Sequence, residues 1–88
     1  MKVEFKRSFV KDLERVRHKG LKKRVKQIIT QIEEKQTLQE IGNVKRLRGG
    51  ERYYRIRMGD YRLGLMLEED MVIFVRFLHR KDIYRYFP

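Results

Sequence analysis

The sequence contains no cysteine, which excludes disulfides, a thiolate nucleophile and any Cys-based zinc site. Its two histidines, His18 and His79, are too far apart in the chain to suggest a metal site, and neither a metal nor a cofactor is expected. The one proline is Pro88, so no interior helix or strand is interrupted by one. No apolar run approaches the length of a membrane-spanning helix, and the opening MKVEFKRSF lacks the hydrophobic stretch of a signal peptide. A cytoplasmic protein is therefore expected. Repeats, low-complexity tracts and linkers are also missing, so residues 1–88 read as a single domain. Acid is scarce: 12 Asp and Glu stand against 23 Lys and Arg, a net charge of +11. So positive a surface repels itself and calls for an acidic partner. Nucleic acid is the first candidate, because each neutralised phosphate releases condensed counterions; an acidic protein is the second, and the two are compatible.

What is present falls into two halves. Residues 2–6 alternate, with Val3 and Phe5 on one side, and read as a short first strand. Ser8 is a candidate N-cap for a helix carrying Phe9, Leu13 and Val16 on one stripe. After an interruption at Gly20, a second helix places Leu21, Val25, Ile28, Ile29 and Ile32 at three- and four-residue spacing, giving an antiparallel helix pair. Between Thr37 and Gly50 the pattern weakens to scattered anchors, Leu38, Ile41, Val44 and Leu47, as expected of a connecting segment. Beyond it the period becomes two, and three strands joined by short turns form an antiparallel meander. The tail KDIYRYFP allows one helical turn. The fold class is thus α+β: an N-terminal strand, a helix pair, and a meander completing a curled four-stranded sheet.

The register of the meander decides where the arginines go. Gly59-Asp60 is a suitable two-residue hairpin turn, because glycine adopts positive φ without strain. It sets Met58 opposite Tyr61, Arg57 opposite Arg62, Ile56 opposite Leu63 and Arg55 opposite Gly64, with the apolar positions sharing one face. For the next turn, a two-residue loop at Glu69-Asp70 would send Arg76 to the core side, a costly place for a charge. A three-residue loop over Glu68, Glu69 and Asp70 is expected instead, with Leu67 opposite Met71 and Arg62 opposite Arg76. If the strand persists, Arg80 joins the same face. Five arginines then share it: Arg55, Arg57, Arg62, Arg76 and Arg80. Like charges directly opposite one another cost up to about 1 kcal/mol per pair, so the cluster points to a polyanion. From Lys45 onward there are nine arginines and two lysines, against four and eight before it. The guanidinium fork binds phosphate oxygens bidentately and stacks on bases, which an ammonium does not. The competing reading is a solvated face neutralised by Glu51, Asp60 and the acids at 68–70.

Other residues divide between the same readings. Lys45, Arg46, Arg48, Arg52, Lys81 and Arg85 extend the expected nucleic-acid surface around the arginine face. The basic run Lys22, Lys23, Arg24 and Lys26 is either a solvated helix face or a contact with ribosomal RNA. His18 reads as a surface residue. His79 borders the arginine face and is suited by type to proton transfer near neutrality, although its parity in a regular strand points it to the core side. Tyr84 is the better candidate, over Tyr86, for stacking on a base.

The string Tyr54-Arg55-Ile56-Arg57-Met58-Gly59-Asp60-Tyr61-Arg62, followed by His79-Arg80-Lys81-Asp82-Ile83-Tyr84-Arg85, resembles the RelE/ParE toxin superfamily over the whole chain. The resemblance implies a RelE-like toxin of a type II toxin–antitoxin system, a ribosome-dependent endoribonuclease that cleaves messenger RNA in the decoding site and is silenced by a cognate acidic antitoxin. It implies phosphate-facing roles for Arg55 and Arg57, stabilisation of the scissile phosphate by Arg62, leaving-group protonation at Arg80 and base stacking by Tyr84. The chain departs from the pattern in carrying arginines where several RelE members have lysines before the turn. Arginine does not act as an ordinary general base, so that role falls to His79, Glu51 or the ribosome. The antitoxin is expected to cover part of the arginine face or to displace the tail after Asp82. Two other functions stay open: a ParE-like gyrase inhibitor acting by protein contact, and a non-catalytic RNA-binding module.

Overall fold

A computed structural model describes residues 1–49 and 52–88; Glu51, named above as a possible base and counter-charge, lies outside them. The elements in order are β1 (Lys2–Phe5), α1 (Arg7–Arg15), α2 (Lys19–Glu34), a short 3-10 turn (Leu38–Glu40), β2 (Val44–Arg46), β3 (Tyr53–Met58), β4 (Tyr61–Glu68), β5 (Met71–His79) and α3 (Arg80–Tyr86). The expected strand, helix pair, meander and terminal helix are all found. The sheet has five strands rather than four, in the order β1-β5-β4-β3-β2, with β1 parallel to β5. The extra strand, β2, lies in the expected connecting segment and pairs with β3 (Val44 with Ile56, Lys45 with Arg55). Three residues are too few to show an alternating pattern, and pairing with β3 rather than local propensity makes them a strand.

One face of the sheet carries the main core. Tyr54, Ile56, Met58, Leu63, Leu65, Val72, Phe74 and Phe77 pack there with Phe9 of α1, with Leu21, Val25 and Ile32 of α2, and with Leu38 and Ile41 of the connecting segment. Helix α2 begins one residue before Gly20, which sits in its first turn; His18 is the cap, its Nδ1 accepting the Leu21 N–H at 2.9 Å. Ser8 is not the cap of α1, which Lys6 precedes; its hydroxyl donates to the Val75 carbonyl at 2.6 Å instead. At the far end of α2, the Met1 ammonium donates to the carbonyls of Ile32, Glu33 and Lys35, groups that a helix C-terminus leaves without partners. In the connecting segment Glu40 accepts the backbone N–H groups of Thr37 and Gln36, which hold its carboxyl below the usual carboxylate range, Thr37 contributing most.

The first hairpin has the expected register throughout, from Met58 opposite Tyr61 to Arg55 opposite Gly64, with Gly59 at φ +61°. The second does not. Its turn is the two-residue Glu69-Asp70, with Glu68 opposite Met71 and Leu67 opposite Val72. The consequence feared for Arg76 is avoided by a β-bulge: Leu65 pairs with Phe74, but Gly64 pairs with Arg76, and Val75 is skipped. Phe74 and Phe77 therefore both face the core, and Arg76 returns to the outer side. The expected pairing of Arg62 with Arg76 is replaced by Arg62 with Leu78.

The bulge is stabilised from outside the sheet. Strand β1 stops at Phe5, and beyond it α1 covers the edge of β5. There Ser8 takes the carbonyl of the skipped Val75, and Asp12 accepts the backbone N–H of Phe77 at 3.0 Å. Asp12 also holds Arg76 bidentately, at 2.8 Å to Nε and 3.0 Å to Nη2. On the outer face, α3 folds back over β4 and β5 and closes a second, smaller cluster in which Ile73, Ile83 and Phe87 are buried and Tyr53 meets the Phe87 ring edge-on. Gly64 permits this approach, because a Cβ there would meet the Phe87 ring at 2.8 Å.

Candidate nucleic-acid interface

The part of the outer face that α3 leaves open is a cavity of about 280 Å³ lined by Asn43, Val44, Lys45, Arg55, Arg57, Arg62 and Tyr84. Each cation arrives by pairing. Arg55 lies between Lys45 on β2 and Gly64 on β4, and Arg57 lies directly opposite Arg62. Tyr84 reaches the site from α3, which the Phe87–Gly64 contact holds against the sheet. The Arg55 guanidinium rests 4.7 Å from the centroid of the Tyr84 ring. This cation–π contact orients the ring, and Tyr84 remains 64% exposed.

No carboxylate among the described residues lines the cavity. Among the described residues the ion pairs are Arg52 with Glu68 and Arg76 with Asp12, so Arg55, Arg57 and Arg62 have no acidic partner there. Arg62 is steadied by carbonyls alone: its Nη1 donates to Gly59 at 2.7 Å and Tyr61 at 2.9 Å, bending the side chain over the hairpin turn. Its other donors remain for a ligand. Such an arrangement suits an anion with several oxygens beside a flat ring, because guanidinium forks match phosphate geometry and an aromatic face matches a base.

The other residues singled out in the sequence are placed elsewhere. Arg76 is on the outer side, but Asp12 neutralises it and its guanidinium sits 5.6 Å from the Tyr86 ring. Arg80 does not continue the strand: β5 ends at His79, and Arg80 is the exposed first residue of α3. The expected group of five arginines is therefore three, joined by Lys45. His79 lies opposite Tyr61, edge-on to its ring at 5.7 Å, and its Nδ1 accepts the Lys81 N–H as the cap of α3. It does not line the cavity, because the bulge rather than a regular alternation sets it opposite Tyr61. Lys81 and Arg85 are exposed on α3, Arg46 and Arg48 are exposed at and just beyond β2, and Arg52 is paired with Glu68. Sequence reasoning missed Asn43 and Asp12. Asn43 carried no signal beyond following a glycine. Asp12 did carry one: it interrupts the apolar stripe of Phe9, Leu13 and Val16, and an acid on a buried stripe requires a partner.

Among the described residues there is no group of three or more His, Cys, Asp or Glu that could hold a metal ion, and no helix long and apolar enough to cross a membrane.

Comparisons with known proteins agree with this architecture. Residues 3–84 match the family described as ParE toxin of type II toxin-antitoxin system, parDE. Toxin RelE3 of Methanocaldococcus jannaschii is 45% identical over 89 residues, spanning 100% of both chains. Putative toxin RelE1 of the same organism is 31% identical over 81 residues, 91% of this chain and 89% of its own. One chain of the RelB-RelE antitoxin-toxin complex from Methanococcus jannaschii superposes with a TM-score of 0.84 at 42% identity, covering 97% of this chain and 99% of that one. The archaeal RelE-RelB complex from Pyrococcus horikoshii OT3 gives a TM-score of 0.74 over 90% of this chain and 93% of that one; at 23% identity it bears on the fold alone.

Proposed function

The chain belongs to the RelE/ParE superfamily of toxins from type II toxin–antitoxin systems, and on that premise we propose that it is an endoribonuclease that cleaves messenger RNA at the ribosome. One observation carries the reading: three arginines and a lysine share a cavity with an exposed, cation-stacked tyrosine and, among the described residues, no carboxylate. In this reading a ribose 2′-OH attacks the adjacent phosphorus, the 5′-oxygen leaves, and a cyclic phosphate and a free 5′-hydroxyl result. Arg57 and Arg62, opposite each other on the hairpin, hold the phosphoryl oxygens as charge builds on them, and Arg55 and Lys45 add to the field. Tyr84 stacks on a base and keeps the nucleotide in line. Lys45 is the one lining cation able to exchange its proton, since arginine does not deprotonate. His79, engaged as a helix cap, is left out of the chemistry. The exposed Arg80, Lys81 and Arg85 of α3 carry the flanking RNA.

The protein partner in this reading is an antitoxin, by likeness to the RelB-RelE antitoxin-toxin complex; the cationic lining of the cavity suits an acidic segment of that partner. The test is expression of the chain in cells with mapping of messenger ends. Translation arrest with cleaved messenger is expected, lost in Arg62→Ala. Arrest that persists in that variant without any cleaved messenger would overturn the reading. The family description names ParE, which makes gyrase inhibition the competing function. It predicts loss of supercoiling in a purified gyrase assay, indifferent to Arg62.

A further inference from the structure

Among the described residues, Asn43 is the uncharged polar fork in a cavity whose other polar lining side chains are three guanidiniums, one ammonium and a phenol. Guanidinium and ammonium groups only donate, and what they recognise is a phosphate, which carries no sequence information. A carboxamide presents one donor and one acceptor side by side, the pattern that pairs with an adenine edge. From this geometry we infer that Asn43 reads the base beside the phosphate held by the arginines, and that it favours adenine. The inference rests on the RNA-cleaving reading and supplies its missing element, the source of base preference.

The position is built for presentation of a side chain. Asn43 has φ +64°, a conformation glycine adopts freely and asparagine tolerates, and Gly42 directly precedes it. The structural work of the turn is done by its backbone, since its carbonyl accepts the Arg57 N–H at 3.1 Å. The side-chain amide makes no hydrogen bond among the described residues and is not needed to hold the turn. That backbone bond also ties the amide to the strand carrying Arg57, so the reading group and the phosphate-holding groups move as one unit. Tyr84, on the same cavity, offers the flat surface on which the base is held while its edge is read.

The test uses the full chain and short oligouridines, 2′-O-methylated so that they resist cleavage, each with a single central adenine, cytosine, guanine or uridine. Affinities are measured at one fixed salt concentration, because the phosphate contribution varies steeply with salt. The adenine oligomer is expected to bind roughly five- to a hundredfold more tightly than the others, as for a bidentate amide–adenine pair. Asn43→Gly, which suits the positive φ, should melt as the parent does and lose that preference. Asn43→Asp, which also tolerates this backbone, replaces the donor with a second acceptor and should move the preference towards cytosine. A base ranking in Asn43→Gly identical to that of the parent, or a parent with no ranking, overturns the inference and leaves Asn43 a turn residue. Cleavage on programmed ribosomes is scored in parallel. A parent that binds with adenine preference but never cleaves overturns the RNA-cleaving reading alone, and cleavage whose base profile ignores Asn43→Gly overturns the inference alone.

Discussion

Arg76 and Arg62 point from neighbouring strands towards the same side of one sheet, yet their circumstances are opposite. Arg76 is clasped bidentately by Asp12, itself 4% exposed, and that pair fastens α1 to the edge of β5. Among the described residues, Arg62 donates only to carbonyls of its own hairpin, and the cavity it faces is lined by no acid. The two show that a guanidinium becomes structural or available according to what the neighbouring element brings to it. A helix carrying a buried carboxylate abuts one arginine; the other shares its cavity with Tyr84 of α3, and no carboxylate among the described residues lines it.

If that contrast is right, the two arginines fail in different assays. The largest effect is expected from Asp12→Ala, which strands the Arg76 charge and the Phe77 N–H at once; loss of one partner of a buried pair costs about 3–5 kcal/mol. Arg76 keeps some solvent exposure, so the lower end applies, measured as a fall in the denaturation midpoint. Arg62→Ala is expected to do the reverse. Its unfolding free energy should stay within about 0.5 kcal/mol of the parent or rise slightly, because the opposed Arg57 is relieved. Its cleavage rate should fall by about 100-fold or more, the usual loss when one donor to a developing oxyanion is removed. Equal destabilisation by both substitutions would erase the distinction.

A third substitution probes the boundary between the closed and open parts of the outer face. Gly64→Ala puts a methyl group where the Phe87 ring lies, and overpacking of this kind costs about 1–3 kcal/mol. If Phe87 yields, α3 lifts and Tyr84 leaves Arg55, so RNA affinity falls together with stability; a change in one without the other would separate α3 docking from base stacking. The smallest effect is expected from Glu40→Gln, on the connecting segment away from both arginines. The folded state lowers the pKa of Glu40, so its contribution to stability is present above the ordinary carboxylate pKa and is lost as pH falls through the lowered value. Near neutrality the parent should therefore be slightly more stable than the variant, and the difference should vanish as pH falls through the lowered value.

Much of this fold is legible in the residues because its signals are local. The Gly59-Asp60 turn, with alternation on both sides, sets the β3–β4 register and puts Arg55, Arg57 and Arg62 on one face with no help from the rest of the molecule. The spacing of Leu21, Val25, Ile28, Ile29 and Ile32 declares α2 in the same way. The second hairpin is not legible by that means. Its two-residue turn looks forbidden until a bulge is admitted, and the bulge holds because Ser8 and Asp12, more than sixty residues earlier in the chain, take the backbone groups it releases. Strand β2 is equally hidden, being three residues that are extended only because β3 lies alongside.

By itself, then, the sequence determined the excess of positive charge, the lack of any thiol, the helix pair and the hairpin that gathers the guanidiniums. Those follow from residue type and from periodicities of two and three to four, which act between near neighbours. Tertiary structure decided which cations stay unpaired, that Arg76 is neutralised, that His79 becomes a cap at the end of its strand, and that Asn43 and Tyr84 meet across one cavity. The His79 cap apart, which is a bond to the nearby Lys81 N–H, each of these depends on contacts between distant segments, where a single buried carboxylate or a missing Cβ selects among registers that local pattern leaves nearly equal.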